Sequence, residues 1–317
     1  MRIVVIGATG HIGTFLIPRL AALGAEVVAV SRGQREPYAD LGGWGSVEQV
    51  SLDRASAEAA GEFGREIAAL KPDALVDLIC FTPESNRQLV EALRGQVQHF
   101  LHCGTIWVHG PSVEVPTPES APRRPFGDYG TNKAAIERDL LREARQNGFP
   151  ATVLHPGHIV GPGWVPLNPA GNFNPAVFET LARGETLALP NFGLETVHHV
   201  HADDVAQAFE RALTHWRAAV GEAFHVVSPA AVTLRGYAEA VSGWFGREAS
   251  LSFRPFEAWR EGVPEADAAA TLEHISRSPS CSIAKARREL GYEPRYSSLQ
   301  GVREALDDLV RRGVVAA

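Results

Sequence analysis

Two side chains that can move a proton together, Tyr129 and Lys133, lie four residues apart in the segment YGTNK. Residues at this spacing share one face of a helix, so the ammonium of Lys133 is predicted close to the phenol of Tyr129. A tyrosine phenol ionises near pH ~10, and a neighbouring positive charge lowers that value. Tyr129 is therefore a candidate general acid/base that takes a proton from an alcohol or returns one to a carbonyl.

A glycine-rich turn, GATGHIG, directly follows the short apolar run at residues 2–6. At a strand-to-helix turn, Gly7 permits the tight bend, Gly10 lets the backbone approach a pyrophosphate and Gly13 lets the helix pack close to the sheet. The helix N-terminus then offers free N–H groups to phosphate oxygens. The turn predicts a bound dinucleotide, with contacts from Gly7, Thr9, Gly10, His11 and Ile12.

The end of the second predicted strand distinguishes two dinucleotides. It reads VSRG, with Ser31 and Arg32 where NAD-binding proteins place a carboxylate for the ribose hydroxyls. Arg32, with Arg35 nearby, suits a 2′-phosphate because a guanidinium is planar and permanently charged. The sequence therefore favours NADP over NAD. A nicotinamide ring also explains the lowered phenol pKa predicted for Tyr129, since its oxidised form is a cation.

The composition is that of an ordinary globular protein. Of 317 residues, 45% are hydrophobic and 21% charged, and the net charge of −7 comes without a Lys/Arg-rich block. Nucleic acid is therefore a poor candidate partner, since backbone binding needs a basic surface. No apolar run approaches the ~20 residues that cross a bilayer, and the start lacks the pattern of a signal peptide, so we expect a cytoplasmic protein without membrane contact.

Strand-like and helix-like segments alternate through the first half of the chain. This pattern predicts an α/β fold, a Rossmann-type doubly wound parallel sheet, with a smaller, mostly helical C-terminal substrate-binding domain. The segment 161–175 is rich in Gly, Pro and Asn and is predicted to be a long irregular loop. Val197–Val200 is predicted to return to the sheet, with Asp203 or Asp204 capping the next helix. The dinucleotide-binding domain is therefore placed at 1–165 with 195–230, and the substrate-binding domain at 166–194 with 231–317.

Several ordered segments together resemble the extended short-chain dehydrogenases/reductases of the NAD(P)-dependent epimerase/dehydratase type. They are GATGHIG, HCGTIWVHG, YGTNK, HPGHIVGPG, HVHADDVAQAF and GYEP, spread over nearly the whole chain. The resemblance implies an enzyme that transfers hydride to or from a nicotinamide cofactor. A homodimer through helices near Tyr129 is common in that family.

The resemblance also assigns roles to further residues. Thr105 takes the Ser/Thr position that hydrogen-bonds the reacting oxygen, beside Tyr129 and Lys133, and Lys133 holds the nicotinamide ribose. The remaining positions matched to cofactor contacts are Asp53, Ile79, Cys80, Phe81 and Pro156. The candidate substrate contacts are Trp107, His158 and Asn172.

Two departures from the family pattern bear on the substrate. Val197 stands where nucleotide-sugar enzymes of the family usually carry an Arg for the diphosphate, and His109 replaces a usual Tyr. A neutral side chain cannot neutralise a diphosphate. A small sugar-like or hydroxy/keto metabolite therefore fits better than a nucleotide sugar, which stays as an alternative.

Two other functions are weighed against this one. His198, His199 and His201 are close in sequence, but no cysteine or acidic motif completes a zinc set, so we expect no metal. Relatives of the fold, including plastid RNA-associated proteins, are similar around VSRG and LDR, which leaves a non-catalytic NADP-sensing or RNA-binding protein as the alternative from another class. The presence of Thr105, Tyr129 and Lys133 favours an enzyme, and neither substrate identity nor the choice between net reduction and epimerisation follows from the sequence.

Overall fold

The computed structural model describes residues 1–316 and is built around a seven-stranded, fully parallel sheet with the strand order β11-β6-β5-β4-β1-β2-β3. Three two-stranded sheets accompany it. In chain order the strands are β1 (Arg2–Ile6), β2 (Glu26–Ser31), β3 (Glu48–Ser51), β4 (Ala74–Asp77), β5 (His99–Cys103), β6 (Ala151–Pro156), β7 (His158–Val160), β8 (Leu187–Pro190), β9 (Thr196–Val197), β10 (His199–His201), β11 (Ala223–Val226), β12 (Val232–Thr233) and β13 (Leu251–Arg254).

Helices cover both faces of the large sheet. In chain order they are α1 (His11–Ala22), α2 (Arg54–Ala59), α3 (Phe63–Ala69), α4 (Pro83–Leu93), α5 (Gly127–Asn147), α6 (Ala176–Arg183), α7 (Ala202–Thr214), α8 (Trp216–Ala219), α9 (Leu234–Trp244), α10 (Phe256–Arg260), α11 (Glu265–Ile275), α12 (Ala284–Leu290) and α13 (Ser298–Arg311). Within residues 1–316 none of these has the length and apolar character needed to cross a bilayer.

Strand β1 explains the two-sided core. Ile3 and Val5 point into a cluster that includes side chains of α1 and α7, while Val4 and Ile6 point into a second cluster that includes α3, α4 and α5. Strands buried on both faces are continuous β-branched runs, as parallel sheets require. The predicted doubly wound sheet is confirmed.

A third apolar cluster forms a smaller, mostly helical lobe. It contains side chains of α6, α9 and α13, among them Phe178, Tyr237 and Leu306, all at most 1% exposed. Two of the short sheets, β8 with β13 and β9 with β12, lie in this part of the molecule. The lobe corresponds to the predicted smaller C-terminal part.

Three local expectations differ from the structure. The segment at 196–201 does not join the large sheet, because β9 pairs with β12 and β10 pairs with β7. The bare backbone of Gly157 permits this, since a Cβ there would lie 2.3 Å from the carbonyl oxygen of His198. Helix α7 is capped by His201, whose side chain accepts the N–H of Asp203, rather than by either aspartate. Strand β3, a short polar edge strand, was not predicted because its sequence, EQVS, shows no hydrophobic alternation.

Buried histidines make the fold sensitive to acid. His99, His198 and His199 are at most 2% exposed, and burial lowers the pKa of each from 6.5 to about 4. The unfolded chain therefore binds protons at a higher pH than the folded protein does. We expect the free energy of unfolding to be greatest above the ordinary pKa of 6.5 and to fall as the pH drops towards 4. Each such histidine contributes up to ~1.4 kcal/mol per pH unit.

Urea unfolding at constant ionic strength, at about pH 7.5, 6 and 5, measures this slope. Equal free energies of unfolding at the two extremes would contradict it.

Candidate active site

The glycine-rich turn between β1 and α1 has the geometry of a phosphate cradle. Gly7 has a φ of +86°, which L side chains rarely adopt, and a Cβ at Gly13 would lie only 2.1 Å from the carbonyl oxygen of Ala8. Helix α1 begins after Gly10, and no side chain caps its N-terminus. The N–H groups of its first turn are therefore available for an anion.

A cleft of about 550 Å³ opens beside this turn, at the carboxyl edge of β1, β2 and β4. It is lined by eight of the residues predicted to contact the cofactor. These are Gly7, Thr9, Gly10, Ser31, Arg32, Asp53, Ile79 and Phe81. A cradle that any Cβ would fill, set against an open elongated cleft, fits a dinucleotide.

Four other predicted cofactor contacts do not line this cleft. Cys80 is fully buried in the cluster beneath α4, Ile12 is 5% exposed in the cluster beneath α1, and Pro156 is buried within β6. His11 instead stacks on Trp164 with ring centroids 3.6 Å apart. Burial and the nearby Arg35 lower the pKa of His11 to about 4, so its ring is neutral at pH 7.

Cationic side chains lie at the end of β2. Arg32 and Arg35 are both exposed and both line the cleft. Asp53 caps α2 by accepting the N–H of Ser56 at 2.8 Å. That hydrogen bond, with a smaller effect of Arg32, holds the pKa of Asp53 below its ordinary value. This rim therefore combines a fixed carboxylate with two guanidinium groups, of which that of Arg35 donates to the Tyr38 hydroxyl.

The predicted catalytic residues meet where β5 ends and α5 begins. Burial raises the pKa of Tyr129 above its ordinary value, and a hydrogen bond with the Thr105 side chain opposes that shift. The ammonium of Lys133 donates to the carbonyl oxygen of Cys103 at 2.5 Å and lies 5.8 Å from the centre of the Tyr129 ring. Lys133 therefore faces the backbone rather than the phenol, and the predicted lowering of the Tyr129 pKa is not seen in this structure.

An aromatic cluster adjoins Tyr129. Trp107 packs against Tyr129, His158 and His274, with ring centroids 5.7, 5.9 and 5.1 Å away. Within residues 1–316 the side chain of His158 makes no hydrogen bond, and its Nε2 is buried. Burial and the neighbouring His274 keep the pKa of His158 well below its ordinary value. This cluster therefore offers neutral hydrogen-bonding groups.

Arg277, two residues beyond the end of α11, is the cation beside this cluster. Its guanidinium is 1% exposed and lies between the rings of Trp107 and Phe126, at 3.7 and 3.8 Å. It donates to the carbonyl oxygens of Phe126 and Glu273. These contacts hold the guanidinium of Arg277 in place as part of the lining of the aromatic cluster.

Asn172, predicted as a substrate contact, is not brought to the cluster. It is 2% exposed, its amide nitrogen donates to Thr271, and its amide oxygen accepts from Asn168 and Asn174. The structure places it inside the 161–175 loop as an internal support.

A family model described as NAD dependent epimerase/dehydratase matches residues 3–226. The chain belongs to this family. It is 26% identical to 2'-dehydrokanamycin reductase of Streptomyces kanamyceticus, covering 84% of this chain and 73% of that one. It is 28% identical to UDP-glucose 4-epimerase of Mycolicibacterium smegmatis, over 97% and 98% of the two chains. A solved UDP-glucose 4-epimerase from Thermotoga maritima superposes with a TM-score of 0.74 at 21% identity, over 99% and 100% of the chains.

Membership of the NAD dependent epimerase/dehydratase family makes the protein an NAD(P)-dependent enzyme of the extended short-chain dehydrogenase/reductase type. Position 197 carries a valine. This side chain is fully buried in the core of the smaller lobe. His109 is also buried, with its Nε2 2.8 Å from Nε2 of His225.

The three histidines near β10 already use ring nitrogens in hydrogen bonds. His198 and His199 each use a ring nitrogen on a backbone carbonyl, and His201 caps α7. Within residues 1–316, the group Asp77, Cys80 and His102 brings candidate ligand atoms within 4.8 Å of one another. Arg54 already donates to Asp77 at 2.7 Å and, with Lys133, acts on Cys80 as a nearby cation, so a divalent ion there would be repelled.

Sequence reasoning missed four residues of the site. His274 is in α11 and Arg277 lies two residues beyond its end, and their contacts with Trp107 have no local signal in the sequence. Glu137 and His155 form a buried pair next to Thr105. Glu137 had a usable signal, because it continues the four-residue spacing of Tyr129 and Lys133 along α5.

Proposed function

We propose that the protein is an NADP-dependent oxidoreductase/epimerase that acts on a hydroxyl or carbonyl of a small sugar-like or hydroxy/keto metabolite, with Tyr129 as general acid/base. The observation that carries this proposal is the position of Tyr129, which packs against Phe81 of the cleft and against Trp107, whose backbone N–H donates to Thr105. Tyr129 is 39% exposed over the whole residue, so a reacting carbon can approach its side chain.

The residues have separable roles in this proposal. Thr105 accepts the N–H of Trp107, which orients its hydroxyl so that its proton is donated to the reacting oxygen. Tyr129 gives that oxygen a proton or removes one. Lys133 favours the charged form of the phenol when its ammonium turns towards the ring. The nicotinamide cofactor, when bound, donates or accepts the hydride.

The preference for NADP rests on the rim of the cleft. Arg32 forms no ion pair within residues 1–316, and Arg35 lies beside it. A dianionic 2′-phosphate gains two charge-assisted contacts there, whereas a ribose hydroxyl gains none of comparable strength. Asp53 is committed to capping α2, which weakens the case for its use on a ribose.

The choice of an uncharged substrate rests on the aromatic cluster. Arg277 is enclosed by two rings, and Val197 is buried elsewhere, so neither supplies the charge that a diphosphate needs. His158 offers an unused neutral imidazole beside Trp107. We assign substrate contacts to residues 166–194 and 231–316 together with His158 and Trp107. Position 317 of the predicted domain lies outside the described residues.

Cofactor consumption tests the proposal. Purified protein is given NADPH or NADH with uncharged aldoses, ketoses and hydroxyketones, and separately with UDP-glucose and dTDP-glucose. We expect one equivalent of NADPH to be consumed per product with an uncharged compound. In Arg32→Ala, the Kd for NADPH should rise by about 10-fold to 100-fold while that for NADH stays unchanged, because the lost contacts are charge-assisted.

Arg87→Ala is the matched control, since Arg87 is an exposed arginine on α4, outside the cleft. Conversion of UDP-glucose without net cofactor consumption would replace the proposal with nucleotide-sugar epimerisation. Failure to convert any compound, together with RNA binding that persists at moderate salt, would replace it with the non-catalytic alternative.

A further inference from the structure

A buried polar pair lies directly behind Thr105. His155, at the end of β6, is fully buried, and its Nδ1 accepts the backbone N–H of Thr105 at 2.9 Å. Because Nδ1 is the acceptor, the proton of the neutral imidazole is on Nε2. Nε2 lies 3.2 Å from a carboxylate oxygen of Glu137.

Glu137 is fixed from the other side. It is 3% exposed and receives two hydrogen bonds from Arg123, at 3.0 and 2.5 Å. Burial alone would raise its pKa, but His155 and Arg123 together hold it below its ordinary value. The carboxylate is therefore charged, and its charge at 3.2 Å favours the Nε2–H tautomer of His155, although Nε2 makes no hydrogen bond of good geometry within residues 1–316.

Gly104 provides independent support for this arrangement. A Cβ on Gly104 would lie 2.3 Å from Nδ1 of His155 and 2.7 Å from its Cε1. The imidazole can reach the Thr105 amide only across a bare backbone. A glycine at position 104 therefore leaves the space that the imidazole of His155 occupies.

The pair also connects the two elements that carry the catalytic side chains. Tyr129, Lys133 and Glu137 occupy successive turns along one face of α5. Lys133 holds the end of β5 through the Cys103 carbonyl, and Glu137 holds it through His155 and the Thr105 amide. Helix α5 is therefore attached to the end of β5 at two points, one through Lys133 and one through Glu137.

We propose that His155, oriented by Glu137, is a positioning residue that fixes the backbone of Thr105 and so aims its hydroxyl at the reacting oxygen next to Tyr129. This role rests on the proposed function. A shift of about 1 Å in a group that contacts the reacting atoms costs up to ~100-fold in rate. The amide of Thr105 also loses its buried acceptor when His155 is removed.

Two variants separate the hydrogen bond from simple packing. In His155→Asn, the side-chain oxygen can take the place of Nδ1, whereas His155→Leu offers no acceptor. We expect kcat of His155→Leu to fall by about 10-fold to 100-fold, with the KM and the NADPH Kd within about 3-fold of the original. We expect His155→Asn to keep most of the activity. Amide hydrogen exchange at Thr105 should be faster in His155→Leu than in His155→Asn.

Controls use a buried histidine far from the site. His99 begins β5 and is hydrogen-bonded to Thr152. We therefore expect His99→Leu and His99→Asn to lower the free energy of unfolding and to have the same kcat as each other. Glu137→Gln is a second variant if His155→Leu does not fold. It removes the charge that orients the imidazole and should lower kcat and speed Thr105 exchange with NADPH binding retained.

Original kcat in His155→Leu, or equal losses in His155→Leu and His155→Asn, would overturn the positioning role. If the unaltered protein converts no compound, the proposed function fails by itself. Amide hydrogen exchange at Thr105 then tests the positioning role without an activity assay. Equal exchange in the two variants overturns the role, and faster exchange in His155→Leu alone supports it.

Discussion

Tyr129→Phe lowers kcat by about 1,000-fold and leaves the Kd for NADPH within about 3-fold. The substitution removes one oxygen and keeps the ring that packs against Phe81 and Trp107. The reacting oxygen therefore loses its proton donor or acceptor while the pocket keeps its shape. Steady-state kinetics combined with fluorescence titration of NADPH measures both quantities.

Tyr296→Phe is the matched control. Tyr296 stacks on His201 with centroids 4.0 Å apart and lies outside the catalytic cluster, so losing its hydroxyl should leave kcat unchanged. If the two variants had the same kcat, Tyr129 would not be the acid/base.

Gly13→Ala abolishes tight NADPH binding and lowers the free energy of unfolding by about 2–4 kcal/mol. The new methyl would lie 2.1 Å from the carbonyl oxygen of Ala8 and 2.7 Å from its Cα, both in backbone that cannot rotate away. Helix α1 must then move off the sheet, which moves the first-turn N–H groups. Urea unfolding and NADPH titration measure the two effects.

Gly243→Ala provides the contrast. Gly243 also lies in a helix, α9, but a Cβ there meets no atom within 4 Å. We expect this variant to gain about 0.5–1 kcal/mol, because alanine loses less backbone entropy in a helix. A Gly13→Ala protein as stable as Gly243→Ala would show that the close contact can relax.

Local sequence signals predicted the large sheet and the catalytic set. The β-branched run of β1 ends in a glycine turn, and Tyr129 and Lys133 share a helix face. In both cases the residues that act together are also close together in sequence. Eight residues predicted from this pattern and the family resemblance line the cleft. Cys80 is a predicted contact outside it, because alternation along an extended chain turns its side chain away from Ile79 and Phe81.

Residues brought in from a distance could not be predicted in the same way. Arg277 reaches Trp107 across 170 positions of sequence, and α11 has no periodic signal that indicates which side chains face the site. Asn172 was predicted as a substrate contact, but its amide oxygen accepts hydrogen bonds from Asn168 and Asn174 of its own loop. Whether a loop side chain is buried depends on how the loop folds back on itself, and amino-acid composition does not determine this.

The stack of His11 on Trp164 joins the first turn of α1 to the segment that leads into the smaller lobe. Any ligand that orders one partner also limits the motion of the other, so the two binding free energies are linked. We expect the coupling to be reciprocal, with dinucleotide and substrate raising each other's affinity by the same factor.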